Sequence, residues 1–273
     1  MSVTRGATAK WVVSGVCVLV CSGVLWGSTW VQSAHPGSDP ARTPVLVELF
    51  TSEGCSSCPP ADELLILLDE QQFVEDALVI PLSEHVDYWN YLGWHDRFSA
   101  PLFAQRQQAY SDVLAGGLYT PQMVVDGHTE FVGSQRAIAR QAIARAAAAP
   151  KAELVLVTTD GSGPQVASVE VTVSGLAELG AVGEVDLWLA VTEDGLETAV
   201  RSGENARRRL RHAAVVRRLE PVEALPNPTP DRFTVATQVS LEPDWQIESL
   251  RLVAFLQERK SRRVLGATQL RLR

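Results

Sequence analysis

The sequence LFTSEGCSSCPPAD, residues 49–62, decides how the first half of the chain folds. Residues 45–50, which lead into it, form an apolar run that is interrupted only by Glu48 and is typical of a strand. Residues 61–72 carry leucines at helical spacing with acidic residues in the first turn, and they predict an amphipathic helix. The stretch therefore predicts a strand, a small polar turn with two cysteines, and a helix.

Cys55 and Cys58 are separated by two serines and lie at the predicted start of the helix. A strand that delivers a Cys-x-x-Cys pair to this position is typical of a thioredoxin-like redox site. The first backbone N–H groups of a helix have no internal partner, and the helix dipole adds partial positive charge, so a thiolate is stabilised there. We expect Cys55, at the exposed edge of the turn, to attack a disulfide and Cys58 to resolve the mixed disulfide.

Other interpretations of the cysteine pair are a structural disulfide and a metal site. A structural zinc ion needs four ligands, and the remaining cysteines, Cys17 and Cys21, lie in an apolar N-terminal segment and cannot complete the set. A disulfide across so short a loop gains little entropic stabilisation. A copper-like site remains an alternative, with His85 as the third ligand of Cys55 and Cys58.

The residues around the cysteines limit how strongly we expect a Cys55 thiolate to be stabilised. Pro59 and Pro60 lack N–H groups and disfavour helical angles before them, so we predict that the regular helix begins at Pro60. The acidic residues Glu53, Asp62 and Glu63 oppose thiolate formation. A less stabilised thiolate makes a less oxidising disulfide, which favours a reductase or isomerase.

Composition and the N-terminus indicate the compartment. The chain of 273 residues has a formal charge of −8, which argues against a nucleic-acid partner. Residues 11–31 are uncharged and follow Arg5 and Lys10, so we predict that residues 1–33 are a signal or uncleaved membrane anchor and that the folded part is extracytoplasmic, either periplasmic or secreted. Residues 34–44, rich in Pro, Gly and Ser, predict a linker.

Two polar residues are candidates for moving protons. Glu48 shares a strand face with Leu46 and Phe50, and an acid in a covered strand is either at an edge or a buried proton acceptor beneath the cysteines. His85 follows the second predicted strand, residues 77–83, where a strand end would meet the active-site turn, and is either structural, a proton donor or a third soft-metal ligand.

A second indication of a thioredoxin-like site is Thr120-Pro121, which opens a short predicted strand. Thioredoxin folds place a cis-proline facing the cysteines at this point, and cis bonds are essentially confined to proline. We predict that this bond is cis and that Thr120 presents its backbone to a bound peptide. Upstream, residues 88–98 hold the densest aromatic cluster of the chain, which either forms a local core or lines a groove beside Cys55.

The order of elements predicts a thioredoxin-like α/β domain at residues 45–150. From residue 151, six short apolar strands separated by turns predict an antiparallel β-sandwich-like domain that extends to residue 273. Within it, residues 203–212 are basic in an otherwise acidic chain. This stretch is either a solvated face, a contact to the first domain, or a docking site for an anionic partner or a lipid surface.

Four blocks of sequence, residues 48–62, 85–94, 106–110 and 119–122, together resemble a bacterial family of secreted thioredoxin-like proteins that carry a domain of unknown function. The characteristic motif of that family is Phe-Thr-Ser-x-Gly-Cys-Ser-Ser-Cys-Pro-Pro-Ala-Asp. The resemblance implies a thioredoxin-like fold and an extracytoplasmic location, and it implies no reaction.

The sequence therefore predicts an extracytoplasmic thiol-disulfide oxidoreductase that acts on exported proteins or small-molecule disulfides without a cofactor. Its candidate catalytic residues share proximity to the cysteine turn and are Cys55, Cys58, Thr120, Pro121, His85 and Glu48. The alternatives are a copper-binding module that uses Cys55, Cys58 and His85, and a non-catalytic adaptor with a thioredoxin fold.

Overall fold

A computed structural model describes most of the chain after the N-terminal segment. The residues that it describes are 32–34, 42–160, 163, 165–180, 183–225 and 230–272. The predicted signal or anchor segment at residues 11–31 lies outside them. Among the described residues, no helix has the length and apolar character needed to cross a membrane.

The described residues form three α-helices and 14 β-strands, which is a mixed α/β fold. In chain order, the elements are β1 (Gln32–Ala34), β2 (Thr43–Thr51), α1 (Pro59–Gln71), β3 (Ala77–His85), α2 (Pro101–Ser111), β4 (Gln122–Val125), β5 (Thr129–Val132), α3 (Arg136–Ala147), β6 (Glu153–Asp160), β7 (Val166–Ser174), β8 (Val185–Glu193), β9 (Leu196–Ala199), β10 (Arg209–His212), β11 (Val215–Ala224), β12 (Phe233–Ser240), β13 (Leu250–Glu258) and β14 (Val264–Arg271).

The centre of the molecule is a mixed sheet of eight strands in the order β14-β13-β8-β11-β3-β2-β4-β5. The part β3-β2-β4-β5 has the thioredoxin-like arrangement, because β2 and β3 are parallel while β4 runs antiparallel to β2. Alternation along β2 divides its side chains between two cores. Val47 and Leu49 pack with α1 and α3, whereas Leu46 and Phe50 pack with α2.

The large sheet continues across the boundary that the sequence predicts at residue 150. Strand β11 pairs in parallel with β3, with Val215 opposite Ser83, and in antiparallel fashion with β8. A smaller sheet, in the order β1-β6-β7-β12, packs against the β8 and β13 side through an apolar core. The prediction of a separate β-sandwich-like domain is thus not confirmed, since one of its two layers is the extension of the thioredoxin-like sheet.

The first half of the chain, residues 42–150, and the second half, residues 151–272, also share a buried polar group. Arg106 of α2 donates from Nε to Glu48 Oε1 at 2.6 Å and from Nη1 to Gln257 Oε1 of β13 at 3.1 Å. Its guanidinium lies 5.2 Å from the ring centroids of Trp188 and Phe255, which both belong to the second half. The charge of Arg106 is therefore enclosed by residues from both sides of the predicted boundary.

These contacts predict that residues 42–150 do not fold alone. Removal of the second half exposes the apolar side chains that β11 and β13 cover, and it leaves the edge of β3 without a partner. We expect the fragment to show no cooperative unfolding in urea by circular dichroism, while residues 42–273 unfold cooperatively. A cooperative transition in the fragment would instead establish residues 45–150 as an independent domain.

Candidate functional site

Cys55 and Cys58 form a disulfide at the N-terminus of α1, with their Cα atoms 5.4 Å apart. Cys58 is the N-cap residue and the helix begins at Pro59, one residue earlier than the sequence predicts. Because Pro59 and Pro60 occupy the first two helical positions, no N–H group is available there, and the next two donate to Cys58 O. The helix terminus therefore offers a Cys55 thiolate its dipole but few direct donors.

Hydroxyl groups take the place of those donors. Thr120 Oγ1 lies 3.3 Å from Cys55 Sγ, and Ser57 Oγ lies 3.4 Å from the same sulfur. The Thr120–Pro121 peptide bond is cis, as the sequence predicts. Trp89 Nε1 donates to Thr120 Oγ1 at 2.7 Å, which leaves the hydroxyl proton of Thr120 free to point at the sulfur. Hydrogen bonds of this kind favour a thiolate over a thiol.

The exposure of the disulfide differs from the expectation. Cys55 is only 3% exposed and Cys58 is fully buried, so the prediction that Cys55 stands at an exposed edge is wrong. The two serines between them are exposed, however, and the Ser57 hydroxyl is in contact with Cys55 Sγ. The sulfur thus lies one small surface side chain below solvent.

The aromatic cluster divides between core and surface. Phe98 is buried and Tyr88 packs against the α2 core, whereas Tyr91 is 77% exposed and stacks on Trp89 at 6.5 Å between ring centroids. Trp89 also packs so closely on Gly54 that a Cβ at position 54 would lie 3.2 Å from Trp89 Cβ. An exposed aromatic surface consequently adjoins the turn that carries Cys55.

His85 supports the turn indirectly. Its Nδ1 lies 2.7 Å from Asp96 Oδ2, and the same oxygen accepts the N–H of Glu53 at 2.8 Å. Burial alone would raise the pKa of Asp96, but the neighbouring His85 and backbone N–H donors lower it to about 2. In the described hydrogen bonds, His85 contacts neither cysteine. It is linked to the turn through Asp96, which accepts the N–H of Glu53.

A second histidine, His212 of β10, packs against His85 with ring centroids 4.8 Å apart. His212 Nε2 lies 3.4 Å from Glu53 Oε1, close enough for an ion pair but without hydrogen-bond geometry. Trp94 Nε1 donates to the other carboxylate oxygen of Glu53 at 2.7 Å. Buried imidazole and carboxylate groups thus lie directly beneath the cysteine turn.

These groups do not make a metal site. Within the described residues, no group of three or more His, Cys, Asp or Glu is placed to hold a metal ion. His85 is committed to Asp96 and has no contact with the sulfurs. The copper site of Cys55, Cys58 and His85 is therefore not assembled in this structure.

Glu48 also lies away from the cysteines. It projects from β2 toward α2, on the face opposite α1, where Arg106 and the Tyr110 hydroxyl donate to its carboxylate. Burial and the adjacent Glu48 carboxylate raise the pKa of Glu84 well above its ordinary value, while Arg106 acts in the opposite direction. The structure thus brings together Cys55, Cys58, Thr120 and Pro121, and it separates Glu48 from them.

Asp62 is the acid that lies closest to Cys58 along the helix. It follows Cys58 by four residues, which places both side chains on one face of α1, and both are buried. Thr51 donates from Oγ1 to Asp62 Oδ1 at 2.8 Å. Burial, with smaller contributions from Asp96 and Glu53, raises the pKa of Asp62 to about 7 against the opposing effects of His212 and Thr51.

Asn205, from the second half of the chain, fixes the turn itself. Its Nδ2 donates to Glu53 O at 2.9 Å and to Cys55 O at 2.8 Å. The neighbouring Glu204 accepts the N–H of Ser56 at 3.2 Å. The backbone around the disulfide is therefore held by the loop between β9 and β10.

Sequence reasoning missed Asp62, Asn205 and Asp96 as parts of the site. The spacing of Asp62 from Cys58 is a usable signal, because residues four apart on a helix share a face. Asn205 lies in the basic stretch that the sequence singled out, but nothing local connects it with the cysteine turn, since its partners lie about 150 residues earlier in the chain.

The raised pKa of Asp62 predicts a pH-dependent effect on stability. Between about pH 4 and 7 the folded oxidised protein holds a proton on Asp62 that the unfolded chain releases, so this residue lowers the free energy of unfolding as pH rises. Asp62→Asn removes the charge and keeps an acceptor for Thr51. We expect the gain in unfolding free energy at pH 8 to exceed the gain at pH 5 by about 2–3 kcal/mol, measured by urea denaturation.

The exposed Glu63 of the same helix provides the matched control, as Glu63→Gln. Equal gains at the two pH values for Asp62→Asn would contradict a raised pKa.

Comparison with known proteins identifies relatives of the chain. It matches the model of the family described as protein of unknown function (DUF1223) over residues 46–257. A crystal structure of a protein from Agrobacterium tumefaciens is 26% identical, with a TM-score of 0.62, over 84% of this chain and 94% of that one. HBP35 of Porphyromonas gingivalis is 17% identical, with a TM-score of 0.60, over 85% of this chain and 76% of that one, and this likeness concerns the fold alone. No curated protein sequence matches. Since the family model covers most of the length, the chain belongs to the DUF1223 family of proteins of unknown function.

Proposed function

We propose that this protein is an extracytoplasmic thiol-disulfide oxidoreductase of the reductase or isomerase type. The observation that carries the proposal is the Cys55–Cys58 disulfide with the Thr120 hydroxyl 3.3 Å from Cys55 Sγ, beside the cis Thr120–Pro121 bond. The uncharged segment at residues 11–31 supports the location outside the cytoplasm, where substrate disulfides are found.

In the proposed reaction, the Cys55 thiolate attacks one sulfur of a substrate disulfide and forms a mixed disulfide, and the first substrate sulfur leaves as a thiolate. Cys58 then loses its proton and attacks Cys55 Sγ, which releases the second substrate thiolate and forms the Cys55–Cys58 bond. Two electrons pass from the dithiol to the substrate. A dithiol donor returns the protein to its reduced form.

We propose that Asp62 accepts the proton that Cys58 loses. Asp62 is buried on the same helical face as Cys58, and its pKa of about 7 lets it accept a proton near neutral pH. Glu48 and His85, the candidates from the sequence, are hydrogen-bonded to Arg106 and to Asp96 instead.

The surroundings of the disulfide favour a protein that reduces substrate disulfides over one that oxidises substrate thiols. Pro59 and Pro60 remove two helix N–H donors, and the carboxylates of Glu53 and Asp96 lie beneath the turn. Both features disfavour a thiolate at Cys55. The Thr120 and Ser57 hydroxyls replace the missing donors, but the negative charges of the carboxylates still oppose the thiolate. A dithiol whose thiolate is weakly stabilised gives a less oxidising disulfide.

Cys58→Ser tests the assignment of attacker and resolver. We expect the reduced variant to react once with a synthetic peptide disulfide and to accumulate a mixed disulfide through Cys55, because the resolving thiol is absent. Non-reducing electrophoresis and peptide mass spectrometry detect this adduct. Cys55→Ser serves as the control and is expected to form no adduct. An adduct-free Cys58→Ser variant, together with a wild type that reduces neither the peptide nor insulin, would leave a non-catalytic adaptor as the better description.

Asp62→Asn tests the proton acceptor. We expect release of the second substrate thiol, followed by stopped-flow absorbance in a single turnover, to slow by about 100-fold at pH 7. In the wild type this rate should rise with pH up to about 7, since the carboxylate form is required, and the rise should be absent in the variant. Formation of the mixed disulfide should change little. An unchanged pH profile would exclude Asp62 from the proton transfer.

A further inference from the structure

The basic stretch that the sequence singled out forms a defined surface. Strands β9 and β10 make a two-stranded antiparallel ribbon, in which Arg209 pairs with Ala199 and Arg211 with Glu197. Along β10, burial alternates, so Leu210 and His212 face inward and the two arginines face solvent. The inner face of β10 packs against α1, the helix that begins at the disulfide. We call this pair of strands and its connecting loop, residues 196–212, the arginine ribbon.

The outer face of the arginine ribbon concentrates positive charge. Its exposed arginines are Arg201, Arg207, Arg208, Arg209 and Arg211. Among the described residues, Arg209 forms the one ion pair of this group, with Glu197. An exposed pair of this kind is weak, and it leaves most of the charge uncompensated. This concentration stands out in a chain whose formal charge is −8.

The arginine ribbon is connected directly to the reactive turn. Arg208 Nη1 donates to Asn205 Oδ1 at 3.1 Å, and Asn205 Nδ2 in turn donates to Cys55 O at 2.8 Å. Ser202 Oγ donates to Gly93 O at 2.6 Å, which ties the loop to the aromatic segment on the other side. The positive surface therefore begins within two side chains of Cys55, while the ribbon residue in contact with the exposed Ser56 is the acidic Glu204.

We propose that the arginine ribbon is a docking surface for an acidic segment of the substrate protein, adjacent to the cysteine that reacts with Cys55. The proposal rests on the proposed function and names its substrate class. Guanidinium groups present a planar set of donors that matches a carboxylate, so aspartate and glutamate side chains are suited to this face.

Position decides between an acidic protein segment and an anionic lipid surface. The covering Ser57 and the arginine ribbon lie on adjoining parts of the surface, and a partner must approach Cys55 past Ser57. A membrane bound to the arginine ribbon would obstruct that approach. An extended acidic segment leaves the approach open and aligns its own cysteine with Cys55.

The charge of the arginine ribbon should also affect the rate at which acidic substrates associate with the protein. A cluster of like charges beside the reacting sulfur raises the association rate of oppositely charged partners, and salt screens this effect over about 8 Å at physiological ionic strength. The preference for acidic substrates should therefore decline as salt is added.

The test uses the full oxidised chain and a charge-reversed variant, Arg209→Glu with Arg211→Glu. The matched control is Arg140→Glu with Arg145→Glu, which changes the net charge equally on the exposed side of α3. Binding is measured by fluorescence anisotropy with a labelled cysteine-free peptide rich in aspartate and glutamate, and with its serine- and glutamine-substituted counterpart. We expect the wild type and the control to bind the acidic peptide about tenfold more tightly than the neutral one at low salt, and the ribbon variant to lose this preference.

A kinetic arm separates this proposal from the proposed function. Reduction of hydroxyethyl disulfide, which is small and neutral, should be unchanged in the ribbon variant, while kcat/KM for a peptide disulfide flanked by acidic residues should fall about tenfold. Equal binding of the acidic and neutral peptides by the wild type overturns the proposal, as does binding of anionic phosphatidylserine vesicles without binding of the acidic peptide. Selective binding of the acidic peptide without any disulfide exchange supports the surface and overturns the proposed function.

Discussion

The hydrogen bonds from the Asn205 amide to Glu53 O and Cys55 O are the constraint on which the cysteine turn depends. Both carbonyl groups are buried, and a buried carbonyl without a donor is costly. The N–H of Cys58 also donates to Cys55 O, at 3.3 Å, whereas among the described residues Asn205 provides the one donor to Glu53 O. The second half of the chain therefore supplies two of the hydrogen bonds that fix the reactive turn. The match to the family model, over residues 46–257, includes Asn205 as well as the cysteine turn.

Buried charge is distributed unequally on the two faces of the sheet. On the α2 face, Arg106 donates to Glu48, and burial beside Glu48 raises the pKa of Glu84 well above its ordinary value. Beneath the turn, carboxylates and imidazoles face one another without complete hydrogen bonding, since among the described residues His85 Nε2 and both His212 ring nitrogens have no partner. On the α2 face, neither carboxyl oxygen of Glu84 has a hydrogen-bond partner among the described residues. The two clusters differ in their basic groups, because a guanidinium group faces the carboxyl groups on the α2 face, whereas imidazoles face them beneath the turn.

The local patterns predicted much of the fold. Periodicity and turn residues correctly indicated the strand before Cys55, the helix after Cys58 and most strands of the second half. The likeness to thioredoxin folds correctly indicated the cis bond at Pro121. Strand β11 was not predicted, because it carries charged residues and Pro221, and it contains irregularities at two places in its pairing with β8. That omission hid the continuity of the large sheet. In the site, Cys55, Cys58 and Thr120 were predicted together, whereas Asn205 was not, since a contact over such a sequence distance leaves no periodic signal.

The parallel pairing of Val215 with Ser83 has a consequence for how the molecule is made. Synthesis proceeds from the N-terminus at about 5–20 residues per second, so roughly 130 residues, or on the order of ten seconds, separate the appearance of β3 from that of β11. During this interval the nascent chain carries an open strand edge and an uncovered apolar face around Phe50 and Ile80. A holding chaperone that shields this intermediate should therefore determine the yield of native protein.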